Sequence, residues 1–126
     1  MNPKQKGDIA VAQAIHFYMT KGYEVCLPIG DKQPYDLVID RIGTLYRVQV
    51  KYAGFYNRVK QHKVALRVTG GNRSRNSARN YSKNDFDELF VYTANGRIFI
   101  FPWTEVLSTN EINVEHVKYS SYEMQG

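Results

Sequence analysis

A chain of 126 residues with one cysteine, Cys26, is long enough to bury a core without disulfides or a structural metal, which excludes a disulfide scaffold. No charged start followed by a long apolar run marks a signal peptide or membrane span, so one cytoplasmic domain over 1–126 is expected, with Cys26 as buried filler. The net charge of +5 is uneven: Lys51, Arg58, Lys60, Lys63, Arg67, Arg73, Arg75, Arg79 and Lys83 fall between Lys51 and Asn84, where there is no Asp or Glu. That segment carries +9 and the remainder −4, the footprint of a polyanion-binding surface.

Taken in chain order, residues 4–21 place Ile9, Ala12, Ile15, Phe17 and Met19 near helical spacing, and Gly22 stands where a helix ends. The segment "YEVCLPI" reads as a short strand stopped at Pro28, "GDKQP" as a loop and "DLVID" as an apolar strand. A turn at Gly43 leads into "LYRVQVKYA". There Leu45, Arg47, Gln49 and Lys51 alternate with Tyr46, Val48, Val50 and Tyr52, so Gln49 and Lys51 share one face. After a loop around "GFYNRVKQ", the strand "HKVALRVT" turns Val64, Leu66 and Val68 inward and Lys63, Ala65, Arg67 and Thr69 outward, with His62 on the basic surface.

The run "GGNRSRNSARNYSKND" has almost nothing to bury and reads as a surface loop that grips on binding through Asn72, Arg73, Arg75, Arg79, Tyr81 and Lys83. "ELFVYTANGRIFIF" is a hairpin in which Asn95 and Gly96 form a two-residue turn. Pro102 ends its second strand, "WTEVLS" forms a helical turn with Trp103 on the core, and the tail from Asn110 reads as polar. The aromatics Phe90, Tyr92, Phe99 and Phe101 fall at alternating positions and are assigned to packing, while Tyr56 and Tyr81 lie in basic loops. The expected class is α/β, a mixed sheet flanked by helices.

Hydrolysis of a phosphodiester calls for a divalent cation on hard oxygen ligands and a nearby lysine. If "DLVID" and "LYRVQVK" pair as a hairpin, Asp36 at the start of the first strand comes near Gln49 and Lys51 at the end of the second, and the Val50 carbonyl adds an oxygen. His16, His62 and His116 show no ligand spacing, which argues against zinc.

"PYD" followed by "QVK", together with "KGDIAVAQAI", "GYEV" and "RNYSKNDFDELFVY", resembles the PD-(D/E)XK homing endonucleases of bacterial group I introns, the cyanobacterial kind especially. The resemblance covers most of the chain and implies a restriction-endonuclease-like core, duplex DNA as substrate and Mg²⁺ as cofactor. It places the metal-binding acid on Asp36, the second motif position on Gln49 and the motif lysine on Lys51. Similar sequences read "KGDIGE" in the first helix, so Val11 stands here where an active-site glutamate is usual. Three explanations stand: natural loss of activity, deliberate inactivation, or replacement by Asp8 one turn earlier.

The expected DNA contacts are Arg58, Lys60, Lys63, Arg67, Asn72, Arg73, Arg75, Arg79, Tyr81 and Lys83, with Lys63 and Arg67 reaching base edges. One active site cuts one strand, so a double-strand break needs at least two copies, and the resemblance implies a homotetramer. A junction-resolving nuclease of the same fold, an inactive DNA-binding protein and an RNA-binding module are the other readings.

Overall fold

The computed structural model describes residues 1–69, 78–80, 82, 84–105 and 111–125; at 67–69, 78–80 and 105 it describes the backbone alone. Helix α1 (Pro3–Thr20) begins at a capping box. The Asn2 side chain accepts from the Gln5 N–H at 2.8 Å and the Gln5 side chain accepts from the Asn2 N–H at 3.0 Å. Pro3 occupies the first helical position, where an absent N–H costs nothing. The buried stripe is Ala10, Ala14, Phe17 and Tyr18. This differs from the stripe read from sequence: Ala12 and Met19 face solvent, because the two alanines four apart are what let the helix lie close on the sheet.

Strands β1 (Glu24–Cys26), β2 (Leu37–Arg41) and β3 (Thr44–Tyr56) form an antiparallel meander, with Leu37 opposite Val48 and Arg41 opposite Thr44. The β2–β3 turn has positive φ at both Ile42 (53°) and Gly43 (87°), as a two-residue primed turn requires. Past Tyr56 come β4 (Gln61–Ala65), β5 (Arg67–Thr69), β6 (Ala78–Asn80), β7 (Glu88–Thr93) and β8 (Ile98–Pro102). A 3₁₀ turn at Trp103–Glu105, β9 (Glu111–Asn113), a second 3₁₀ turn at Val117–Tyr122 and β10 (Glu123–Met124) complete the described chain. The main sheet runs β1-β2-β3-β7-β8-β10, and β4 and β9 branch from the far end of β3. Among the described residues the β3–β7 pair is parallel and every other pair antiparallel.

That parallel pair is covered on both faces, which is why β7 reads as a nearly unbroken apolar run. On one face Val48, Val50 and Phe90 meet α1. On the other, Ala53, Leu89 and Val91 meet Phe86, Trp103, Ile112, Val114 and Tyr119. No described helix is long and apolar enough to cross a membrane.

Several sequence expectations need correction. The residues expected as a loop after Ala53 continue β3 to Tyr56, because Gly54–Tyr56 find partners in Gln61–Lys63. "HKVALRVT" is two strands in different sheets, broken where Leu66 turns into the core. The Gly/Asn/Arg run contributes β6, which pairs with β5; residues 70–77, 81 and 83 of it lie outside the described residues. In the β7–β8 hairpin only Gly96 has positive φ, 83°. The Gly96 N–H donates to the Thr93 carbonyl at 2.9 Å, giving a three-residue loop instead of a two-residue one.

His62 is buried, not on the surface, with Nδ1 2.5 Å from Glu115 Oε1. Cys26 is exposed. The tail beyond Asn110 is not simply polar, since Ile112, Val114 and Tyr119 are buried in the face opposite α1.

Candidate active site

Asp36 sits one residue before β2, and the antiparallel ladder extends to it: its N–H donates to the Val48 carbonyl at 2.8 Å. Its carboxylate reaches back across β3, where Oδ2 accepts from the Val50 N–H at 2.8 Å. The acid is thus held against the stretch of β3 that carries Gln49 and Lys51. Period two puts those side chains on the face opposite Val48 and Val50, in the row that dives into the core at Ala53. Gln49 Nε2 lies 3.4 Å from the Val50 carbonyl.

Burial pushes the Asp36 carboxyl above its ordinary range, against the opposing pull of the Val50 N–H and the Lys51 charge. Burial pushes the Lys51 ammonium down, only partly countered by Asp36. Burial thus disfavours the charged form of both groups. The Asp36 carboxylate, the Gln49 side-chain oxygen and the Val50 carbonyl are all hard oxygen donors. They fit a Mg²⁺-class ion in kind, with a single negative charge among them. Among the described residues, no group of three or more His, Cys, Asp or Glu is gathered to hold a metal.

Val11 is half-buried and packs on the cluster that contains Val48 and Val50, the face of β3 opposite the one that carries Gln49 and Lys51. Asp8 points elsewhere: it is exposed, 3.5 Å from Lys4 Nζ. Of the expected DNA contacts, Arg58 and Lys60 are exposed in the β3–β4 turn, where Lys60 Nζ donates to Asn57 Oδ1 at 3.0 Å. Lys63 Nζ is 2.5 Å from Glu111 Oε1. The two-stranded β5–β6 ribbon carries Arg67 and Arg79, at adjacent rungs opposite Asn80 and Val68. Asn72, Arg73, Arg75, Tyr81 and Lys83 lie outside the described residues.

The sequence reading missed two features near the site. Asp87 bonds the Arg47 backbone N–H at 2.8 Å and its guanidinium at 3.3 Å, and Arg47 lies over the Tyr35 ring beside Asp36. A cleft of about 390 Å³ opens beside Lys51, bounded by Lys6 of α1 and Tyr52. Neither shows as a motif; Arg47 stands in the same alternating row as Gln49 and Lys51, which was the available signal.

The sequence model of the PD-(D/E)XK endonucleases matches residues 1–122. The chain belongs to the PD-(D/E)XK endonuclease family. It is thus a nuclease, of a family that uses divalent metal ions and acts on DNA. The whole fold is similar to a solved structure titled as that of a bacterial homing endonuclease, I-Ssp6803I. The TM-score is 0.86 at 32% sequence identity, covering 98% of this chain and 89% of that one. No curated protein matches the chain significantly.

Proposed function

We propose that this PD-(D/E)XK endonuclease is a homing-type enzyme that hydrolyses phosphodiester bonds at a specific duplex DNA site with Mg²⁺, and that Val11 impairs the cutting step. The observation that carries the reading is the placement of Asp36 on the Val50 N–H beside Lys51, in a fold 32% identical to a homing endonuclease. When bound, Mg²⁺ would be held by Asp36, the Gln49 side-chain oxygen and the Val50 carbonyl, supplying neutralisation of the scissile phosphate and a lowered pKa for attacking water. The Val50 N–H fixes which carboxylate oxygen faces the ion. Lys51 steadies charge developing on the phosphate, and its partial burial excludes competing water.

Arg58, Lys60, Lys63 and the rest of the basic segment supply phosphate contacts. The β5–β6 ribbon, carrying Arg67 and Arg79, has the width a major groove admits. A double-strand break requires at least two copies, and a homotetramer acting in the cytoplasm is part of this reading.

Val11 favours a second reading, a DNA-binding protein that no longer cuts. The resemblance calls for a glutamate there, whereas valine offers no oxygen and only packs. The test is a supercoiled plasmid carrying a candidate intron-insertion site, incubated with Mg²⁺ and the chain, its Val11→Glu version or its Lys51→Ala version, with binding followed by gel shift in Ca²⁺. Cleavage by Val11→Glu alone, with binding by all three, supports both the site and its impairment. Cleavage by the unaltered chain refutes the impairment. No binding of duplex DNA by any of them refutes the endonuclease reading.

A further inference from the structure

Residues 27–36 form neither helix nor strand, yet this stretch delivers Asp36. On its downstream side Asp36 is tied twice to β3, by its N–H to the Val48 carbonyl and by Oδ2 to the Val50 N–H, each at 2.8 Å. The course of the incoming chain depends on the residue before it, Tyr35, which is half-buried against the cluster that contains Phe86 and Trp103. Over the Tyr35 ring, 5.9 Å from its centroid, lies the Arg47 guanidinium.

That guanidinium is held at all three of its nitrogens. Nη1 donates to the Asn84 carbonyl at 2.7 Å, Nε to Asp87 Oδ2 at 3.3 Å and Nη2 to Asp87 Oδ1 at 3.4 Å. Asp87 is fixed in turn by main chain. Its Oδ2 accepts from the Arg47 N–H at 2.8 Å, its own N–H donates to the Arg47 carbonyl at 2.9 Å, and its carbonyl accepts from the Trp103 N–H at 3.1 Å. The guanidinium plane cannot turn without breaking the fork.

Stability is a poor account of this arrangement. The Arg47 and Asp87 side chains are 38% and 40% exposed, where an ion pair adds little, and the backbone ladder from Val48 and Glu88 onward already joins β3 to β7. What the fork adds to the ladder is a fixed platform over Tyr35, the residue next to Asp36.

Resting on the reading of Asp36 as the metal-binding acid, we infer that Arg47 is a positioning residue for the reaction. Anchored on Asp87 and the Asn84 carbonyl, it holds Tyr35 in place and through Tyr35 sets the approach of Asp36 to the metal. A cation–ring contact at this exposure contributes little to folding, whereas misplacing a reacting group by about 1 Å costs about 100-fold in rate. The role therefore shows in metal binding and chemistry, not in stability.

The test uses the full chain, with whichever of the unaltered protein and Val11→Glu cuts faster as background. Mn²⁺ binding to the chain alone is read by electron paramagnetic resonance, beside duplex affinity in Ca²⁺, single-turnover cleavage at saturating DNA over a range of Mn²⁺, and thermal unfolding. Arg47→Ala should bind Mn²⁺ about fivefold more weakly and cut about tenfold more slowly or worse, with duplex affinity and unfolding temperature close to the background. Tyr35→Leu should show the same defect, and Tyr35→Phe, which keeps the ring, should recover most of it. Arg47→Ala and Tyr35→Leu combined should be no worse than either alone, since both break one chain of contacts. Should Arg47→Ala unfold early, Tyr35→Leu against Tyr35→Phe carries the test.

Mn²⁺ binding and cleavage by Arg47→Ala equal to the background overturn the positioning role and leave the nuclease site standing. Weaker duplex binding with an unchanged rate at saturating DNA overturns it too, because Arg47 is then a phosphate contact. A combined defect equal to the product of the two single ones also overturns it, because the residues then act separately. A background chain that neither binds Mn²⁺ nor cuts overturns the reading of Asp36 as well.

Discussion

The Tyr18 hydroxyl donates to Glu88 Oε2 at 2.6 Å, joining the last turns of α1 to the first residue of β7. Glu88 is buried, and Arg41 answers its charge from the end of β2 with a 3.1 Å contact while lying between the rings of Tyr23 and Tyr46. Burial, followed by the Glu88 charge, holds the Tyr18 phenol well above its ordinary pKa, so it remains a donor. Three elements that meet only in the folded state are fastened by one carboxylate.

Removing one member should therefore cost more than a surface pair would. Glu88→Ala strands the Tyr18 hydroxyl and Arg41 and is expected to destabilise the fold by about 3 kcal/mol, and Tyr18→Phe by about 1.5 kcal/mol. Urea unfolding followed by Trp103 fluorescence gives both values; a loss under about 0.5 kcal/mol for Glu88→Ala, the range of an ordinary surface change, rejects the network as a structural fastening.

Asp36→Asn should abolish cleavage in the Val11→Glu background yet raise stability at neutral pH. The folded pKa of Asp36 is raised by burial, so the folded state binds the proton more tightly than the unfolded one. Stability from this group falls as pH rises from the unfolded value, 3.8, through the folded value, and stays low above it. Asparagine removes that penalty and still accepts from the Val50 N–H. Unfolding temperatures at pH 4 and pH 7 decide the matter: a gain for Asp36→Asn that is larger at pH 4 contradicts the sign.

The opposite sign governs the C-terminal segment. Arg97 bonds Glu123 through two nitrogens at 2.8 and 2.7 Å and Glu115 at 2.7 Å, while Glu115 also meets His62. Despite burial, the His62 and Arg97 hydrogen bonds hold the Glu115 carboxyl down, and the Arg97 bond lowers Glu123. The stability they add is present above the unfolded value of 4.5 and is lost as pH falls through the folded values. Amide hydrogen exchange over residues 111–125 should accelerate below pH 4.5 ahead of β3 and β7, and Arg97→Ala should bring the same acceleration at pH 7. Uniform protection at pH 3.5 would count against this.

Ile42 is 95% exposed at φ 53°, a strained position for a β-branched residue. Ile42→Asn creates Asn-Gly in a turn of the type that sequence favours, and should stabilise the protein by about 1 kcal/mol without changing DNA affinity. Denaturant midpoints of the two proteins measure it; an unchanged midpoint means that the turn stores no strain.

The arrangement of the candidate site was legible because it is local. Asp36, Gln49 and Lys51 lie within sixteen residues, and a single hairpin, announced by Gly43 and by alternation, brings them together. The far end of β3 was not legible, since "GFYN" looks like a turn until its partners in β4 are known, and their pairing is fixed by β9 fifty residues on. His62 was misplaced for the same reason: a histidine among basic residues reads as surface, and only Glu115 explains its burial. The helix stripe was misjudged because alanine counts little in hydropathy, although small size is what the contact with the sheet selects.

The thirteen residues of β3 are continuous from Thr44 to Tyr56, with no break between the half that holds Gln49 and Lys51 and the half that carries β4. β4 in turn leads through Leu66 into the β5–β6 ribbon. In a nuclease that reads its target through that ribbon, the strand is a ruler with no hinge in it. Its step of about 3.3 Å is close to the rise of one base pair, so inserting a residue between Lys51 and Gly54 would advance the ribbon by about one nucleotide and turn the reading row over at the same time. On the proposed reading, the distance from recognised base to severed bond would be set by the length of one strand.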